Sequence, residues 1–296
     1  MATIPIENAK RMADLTALTE VSDSAMLFIH DGNGIKKVSA GLLKKDLKDL
    51  ITAHKTILDM VTATGAGAHN SVYRGKNLGA AVTAAQWAAI QAGTFDDMYI
   101  GDYWVIGGVT YRIAAFDYYL RAGDTDMNTH HVTLVPDANM YTHCMNDTNI
   151  TTGGYVGSKM YTQGLNQAKT TITSAFGAAH ILTHRQYLCN AVTNGKPSGG
   201  SWYDSTVELM TEQNCYGGKV FGAGNDGSTV PGLHTVDKSQ FPLFTFRPDM
   251  ISNRQWFWLR DVVSAPLFAS VARYGPAASN YASSAAGVRP AFSIKS

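Results

Sequence analysis

Charge is scarce in this 296-residue chain: Asp, Glu, Lys and Arg make up 16% of it, below the roughly 25% usual in soluble domains. Neither sign dominates, with 24 basic residues against 23 acidic ones. Nucleic acid is gripped through many phosphates, and an anionic membrane surface through a polybasic segment. Neither partner is expected here. Cysteine is scarce too. Cys144, Cys189 and Cys215 are odd in number, far apart and without a CxxC pair, which argues against a disulfide framework or a Cys-rich zinc site. Three separate, reduced, buried thiols are expected. No run of 18 apolar residues occurs, so no membrane insertion is expected. The first twenty residues lack the apolar segment of a secretory leader, and the expected product is soluble in the cytoplasm where it is made.

Hydrophobic residues reach 45%, enough for a sizeable core. The charge is unevenly distributed: 16 of the first 60 residues carry one, against 31 of the remaining 236. The shift divides the chain into modules 1–64 and 65–296, with Thr64-Gly65-Ala66-Gly67-Ala68 as the expected joint.

In the first module, Ala25–Ile29 and Ile35–Val38 flank Asp31-Gly32-Asn33-Gly34, the pattern of a β-hairpin. Ser39 then caps a helix expected to run to about Thr62. Along it, Leu43, Leu47, Leu50, His54, Ile57 and Val61 alternate spacings of four and three, as in a coiled-coil seam. The same stripe would suit an amphipathic helix lying on its own domain. The polar flanks, and the lack of other apolar segments nearby to cover, favour self-association, with a homotrimer preferred and His54 as a polar core position.

The second module lacks a βαβ rhythm. Thr83 and Gln86 form a capping box for a helix that ends at Gly93. Tyr99–Ile106 and Val109–Ala115 flank Gly107-Gly108, a hairpin turn. A strand is expected over His131–Val135. A helix from Ser158 carries Tyr161, Leu165, Ala168, Ile172 and Phe176 on one stripe and closes at Gly177. Shorter helices are expected over Ile181–Ala191 and Ser205–Gln213, the latter with a Ser205/Glu208 capping box. Strands are expected at Lys219–Phe221, Leu243–Phe246, Trp256–Leu259 and Val288–Ile294, separated by Gly/Ser/Ala loops. The layout is α+β, with an irregular antiparallel sheet and flanking helices.

Motifs that could carry chemistry mostly fail on their own terms. Asp124-x-Asp126-x-Asn128-x-His130 has Thr129 and Val135 where a calcium loop needs Gly and Glu. His130 and His131 adjoin a strand and point to opposite faces, so one is expected to be a core histidine bonded to backbone. His180 and His184 are four apart but lack the Glu and third ligand of a zinc site. Gly222-x-Gly224-x-x-Gly227 has dinucleotide-loop spacing, but no helix follows to receive a phosphate. No metal and no cofactor are expected.

Several segments nonetheless look familiar. Trp256-Phe257-Trp258-Leu259-Arg260, a stretch of small residues, and Gly287-Val288-Arg289-Pro290-Ala291-Phe292 together resemble the end of C-type-lectin-like domains in bacterial and phage proteins. Phe116–Tyr119, His130–Asp137 and Thr152–Ser158 are similar to structural proteins of tailed phages from gut Firmicutes. The N-terminal hairpin with Lys36-Lys37-Val38-Ser39 resembles the attachment module of phage fibres. The resemblance implies a virion fibre or tail-tip protein assembled in the bacterial host cytoplasm. Its N-terminal module would engage other virion proteins, its helix would trimerise, and its C-type-lectin-like domain would bind a host cell-surface glycan or protein. A capsid head fibre or decoration protein is the alternative.

Residues 262–287 hold one charge, Arg273. With Tyr274, Ser279, Asn280, Tyr281, Ser283 and Ser284 it combines aromatic anchors with adaptable hydrogen-bonding groups, as antibody paratopes do. These seven are the expected receptor-binding residues, on a display loop. Formylglycine-generating oxygenases share the lectin-like fold, but they need a cysteine pair near the C-terminal strands, and this chain has none after Cys215. A glycan-cleaving enzyme would need paired carboxylates on a groove. Asp96-Asp97, Asp102 and Asp117 are available but suit hairpin ends as well, so no enzyme is expected.

Overall fold

The computed structural model describes residues 22, 24–30, 34–62, 64–222 and 239–296. The chain divides into two compact units, one up to Thr62 and one from Ala63 onward. Three of the expected hairpin-turn residues (31–33), as well as Gly224 and Gly227, lie outside the described residues.

In the first unit, β1 (Met26–His30) and β2 (Ile35–Ser39) pair antiparallel, from Met26 opposite Ser39 to His30 opposite Ile35. The Ser39 hydroxyl accepts from the Leu42 amide at 3.1 Å and caps α1 (Ala40–Thr62). At 1.5 Å per residue the helix is about 34 Å long. Leu43, Leu47 and Leu50 are 38%, 58% and 57% exposed. The side chains of His54, Ile57 and Val61 lie outside the described set.

The second unit is mixed α+β with sheets dominating. Its first residues are tied in tightly: Gly65 N–H donates to the Thr94 carbonyl at 3.2 Å, and Ala66–His69 forms α2 rather than a linker. β3 (Asn77–Gly79), α3 (Ala84–Ala92), β4 (Tyr103–Ile106), β5 (Val109–Phe116), β6 (Val132–Pro136) and β7 (Tyr141–His143) follow. Thr83 and Gln86 complete the expected capping box on α3, and Gly93 ends it in the left-handed region. Gly107 and Gly108, at φ 59° and 80°, make the β4–β5 turn that only glycine adopts readily.

The helix expected from Ser158 begins as one π-helical turn, Met160–Gly164, before α4 (Asn166–Phe176). Leu165, Ala168, Ile172 and Phe176 are buried as the stripe requires. The segment 181–191 is no helix. β8 (His184–Thr193) and β9 (Lys196–Ser205) form a two-stranded ribbon whose buried His184, Gln186 and Leu188 follow period two. Asn194 and Gly195, at φ 52° and 74°, supply its turn. Asn-Gly between strands is the strongest short hairpin signal.

The expected Ser205/Glu208 cap is absent as well. Glu208 lies on β10 (Val207–Leu209) with its carboxylate turned inward to accept from the Tyr155 hydroxyl at 2.7 Å. The helix starts later, as α5 (Glu212–Tyr216), capped by Thr211 and Asn214. Residues 219–221 form no strand, because the amides of Val220, Phe221 and Gly222 all donate to the Glu212 carboxylate at 2.8–3.1 Å. Leu243–Phe246 belongs to α6 (Pro242–Phe246), where proline at the first helical position loses no hydrogen bond.

The remaining strands are β11 (Phe257–Ser264), β12 (Leu267–Val271), β13 (Ala277–Tyr281), β14 (Ala286–Val288) and β15 (Pro290–Ile294). The display loop expected over 262–287 is therefore largely a meander: β12 pairs with β13 in unbroken register from Leu267–Tyr281 to Val271–Ala277. Strand order is β10-β15-β6-β5-β4-β3 in one sheet and β13-β12-β11-β14-β7 in the other. Alternate residues of β11 enter separate cores, Phe257 and Leu259 one, Trp258 and Val262 the other. The five-stranded sheet is thus packed on both faces.

Arg289 is the single residue between β14 and β15, and so between the two sheets. It is buried, and its guanidinium donates to the carbonyls of Pro136, Ile251 and Met250 at 2.7, 2.9 and 3.1 Å. Replacing Arg289 with Met should lower unfolding free energy by about 3 kcal/mol or more, because three carbonyls lose their donors together. Urea unfolding measures it, and a loss under about 1 kcal/mol, the scale of an ordinary surface bond, would show that the contacts are dispensable.

Candidate functional site

Five of the seven expected receptor-binding residues fall into two groups at opposite ends of β13, the edge strand of its sheet, and two lie along it. At 3.3–3.4 Å per residue the strand separates them by roughly 13 Å. At one end, residues 272–276 make the β12–β13 turn. Tyr274 stands 69% exposed with the Arg273 guanidinium 4.9 Å from its ring centre. The turn is anchored from outside: Ser252 Oγ donates to the Arg273 carbonyl at 3.1 Å and the Tyr216 hydroxyl to the Gly275 carbonyl at 2.9 Å. The exposed ring thus sits on a fixed backbone.

At the other end Tyr281 is 54% exposed. Ser283 donates to Asn149 Oδ1 from both its amide and its hydroxyl, at 3.1 and 2.7 Å. The Ser284 amide donates to the Tyr281 carbonyl at 2.9 Å. Ser279 and Asn280 are half-buried mid-strand, and the Asn280 side chain accepts from the Tyr281 amide. The seven residues do not form one patch.

Beside the second group lies an open polar hollow of about 440 Å3, lined chiefly by Asn146, Asp147, Thr148, Lys159, Thr162 and Gln163. The Asn146 amide donates to the Ala282 carbonyl at 2.9 Å, joining the hollow to the β13 end. Asn146 also shapes the loop, donating to the Ile150 carbonyl and accepting from the Lys159 amide, both at 2.8 Å. Lys159 and Asp147 pair across it, and that hydrogen bond raises the lysine pKa. Gly154 positions the segment behind. Its φ is +62°, and a Cβ there would lie 2.7 Å from the Cys189 carbonyl oxygen. The sequence reading missed this hollow; its signal is the polar run Asn146-Asp147-Thr148-Asn149.

The carboxylates considered for catalysis are engaged within the fold. Asp102 is buried and accepts from Arg74 and from the amides of Lys76 and Tyr99. Asp97 pairs with Arg74 and Lys76, which hold its pKa below the usual range. Asp96 accepts from the Thr94 hydroxyl at 2.9 Å. Asp117 accepts from the His131 amide at 2.9 Å and lies 2.7 Å from His130 Nδ1. Asp124, in the abandoned calcium motif, takes a bidentate bond from Arg185 at 2.7 and 2.8 Å.

The histidines follow suit. His131 is a core residue, with Nδ1 on the Thr129 carbonyl at 2.8 Å and Nε2 accepting from the Tyr119 amide at 3.0 Å. His180 stacks on Trp87 at 4.0 Å. His184 is buried against the Tyr119 ring at 3.7 Å. None of the three cysteines is in a disulfide; Cys189 and Cys215 are buried and Cys144 is half-buried. Among the described residues no three His, Cys, Asp or Glu side chains gather as a metal site. No helix among them is long and apolar enough to cross a membrane.

Comparison with protein-family models, with curated proteins and with solved structures returned no match.

Burial, followed by the nearby His131 and Arg260 charges, pushes the His184 pKa down from 6.5 to about 3. The unfolded chain takes up this proton near 6.5 while the folded chain refuses it, so the stability is complete above 6.5 and lost as pH falls. Between pH 6 and 4, wild type should lose up to about 1.4 kcal/mol per pH unit more than His184→Phe. Denaturant unfolding at several pH values tests this, and parallel slopes would refute it.

Proposed function

We propose that this chain is a subunit of a tailed-phage fibre or tail tip, with a C-type-lectin-like display domain carried on a homotrimeric stalk. It attaches the particle to a host cell-surface glycan or protein, and it acts by binding rather than by catalysis. The observation that carries the reading is the combination, in one chain, of the exposed Leu43, Leu47 and Leu50 on α1 and two solvent-exposed tyrosines on an edge strand and its turn. Three copies wound together bury Leu43, Leu47 and Leu50 in the manner of a coiled coil. The hairpin before the helix is left to engage other virion proteins.

The lectin-like assignment is supported by the Trp-containing β11 lying beside β14, and by the Gly-Val-Arg-Pro segment passing from one sheet to the other. Recognition through Tyr274, Tyr281 and the Asn/Thr/Lys hollow suits polar, largely uncharged ligands. Tyrosine offers contact area at low entropic cost, and serine and asparagine supply adaptable hydrogen bonds. The engagement of Asp96, Asp97, Asp102 and Asp117 in structural bonds favours binding over glycan cleavage.

Four measurements test the proposal. Sedimentation equilibrium of the full chain should give three chain masses, and Leu47→Asp with Leu50→Asp should give one; a stable wild-type monomer would remove the stalk. Labelled protein should adsorb to susceptible cells in a panel of gut Firmicutes, and Tyr274→Ala and Tyr281→Ala should each weaken adsorption about tenfold or more, some 1.4 kcal/mol. Undiminished adsorption by both variants would remove the site assignment. Labelling of the capsid on intact particles would make the chain a head fibre, and release of reducing ends from host polysaccharide would make it an enzyme.

A further inference from the structure

The strands that border the two large sheets of the second unit are β3, β10, β7 and β13, and β13 alone among them is longer than three residues. In an antiparallel pair alternate residues turn both N–H and C=O toward the neighbouring strand. The Ala272 amide donates to the Pro276 carbonyl and the Ala282 amide to the Pro266 carbonyl, both at 2.9 Å. With the register unbroken between these bonds, residues 276, 278, 280 and 282 face β12. Ala277, Ser279 and Tyr281 therefore turn their backbone groups outward.

Those groups are not equally open. Tyr281 is closed by its own neighbours: its amide donates to Asn280 Oδ1 and its carbonyl accepts from the Ser284 amide, both at 2.9 Å. Ala277 and Ser279 have no such cover, and among the described residues no strand pairs with β13 on this side. Two N–H and two C=O groups are left, two residues apart in the chain.

That repeat sets the ligand class. An extended peptide offers N–H and C=O at the spacing of the strand itself, whereas sugar hydroxyls follow no such period. Sheet edges are ordinarily blunted by charge, proline, a bulge or a covering element. Residues 277–281 contain no charge and no proline, and their pairing with β12 has no bulge. Ala277, Ala278 and Ser279 carry small side chains, which let a second backbone approach. Arg273 is the one charge in 262–287, so a charged segment laid along the edge would lose hydration without a counter-charge. The exposed Tyr274 and Tyr281 bracket the open stretch.

We propose that the β13 edge binds an extended, uncharged polypeptide segment, which joins the five-stranded sheet as a sixth strand through the backbone of Ala277 and Ser279. That this polypeptide belongs to a host surface protein rests on the host-binding reading; the strand-accepting edge does not.

A display library of random short peptides, panned on the full chain, is the probe, and hydrogen exchange at single amides is the readout. In the free chain the Ala277 and Ser279 amides should exchange fast and those of Ala278 and Asn280 slowly. Enriched peptides should protect the first pair. Ser279→Pro removes an outward N–H without touching the β12 ladder. It should weaken peptide binding about tenfold or more, and Ser279→Ala should bind as wild type does. If Ser279→Pro does not fold, methylating alternate backbone nitrogens of the peptide serves instead: one frame should abolish binding and the other spare it. The proposal is overturned if no enriched peptide protects these amides, if Ser279→Pro binds as wild type does, or if both methylation frames bind alike. Protection that grows with the concentration of the chain alone would also overturn it, the occupant then being a second copy. Susceptible cells test the host assignment separately: proteinase K treatment and Ser279→Pro should each abolish adsorption. Adsorption lost to periodate oxidation instead would make the host ligand a glycan and overturn its identification with the added strand. Failure of the peptides with adsorption intact would strike the strand and leave the host-binding reading standing.

Discussion

A guanidinium placed where water cannot reach must be surrounded by acceptors, and Arg289 meets that demand with backbone alone. Its three carbonyl partners lie at the end of β6 and in the 248–251 turn, segments more than a hundred residues apart in sequence. The rings of Phe244 and Phe257 flank it at 5.8 and 5.3 Å. Burial lowers its pKa only to about 10, so it remains charged at neutral pH. Because β14 and β15 lie in different sheets, Arg289 is one of the links between them, beside the 137–140 segment that leads from β6 to β7. The β13 edge lies at the far side of that sheet from β7 and is held by its ladder with β12.

The low charge content acquires a location once the fold is known. In the second unit, acidic groups repeatedly act as internal staples. Asp102 gathers Arg74, Lys76 and Tyr99, Asp137 holds Arg112 in a bidentate pair, and Glu212 collects three successive amides. Charged hydrogen bonds of this kind are stronger than neutral ones, and they work best away from solvent screening. The exposed ends of β13 are left to Tyr, Ser and a single charge, Arg273.

Elements with local signals were legible in the sequence. Gly107-Gly108 specified a hairpin, Thr83 and Gln86 a helix start, and the Leu165–Phe176 stripe a buried helical face. The errors arose where partners decide the outcome. Ala277–Tyr281 is built of small and polar residues and reads as loop, yet β12 offers it an unbroken ladder. Lys219–Phe221 reads as strand until the Glu212 carboxylate claims its amides. The Asn194-Gly195 turn was a local signal that went unused. Tyr274 and Tyr281 were recognisable as aromatics in a charge-poor stretch, but their separation follows from β13 being extended. The hollow at Asn146–Gln163 combines two segments that only the fold brings to Ala282 and Ser283.

The position of β15 bears on how the second unit comes into being. β15 lies between β10 and β6, and Thr133 meets Ser293 across a sequence separation of 160 residues at 2.9 Å. During synthesis β6 emerges long before the strand that completes it, and the sheet waits with one edge open. Such non-local closure is slow, because the entropy of the intervening loop is lost before the contacts form. Closing this sheet therefore waits for β15, and until it pairs the facing edges of β6 and β10 lack the partner they have in the folded unit.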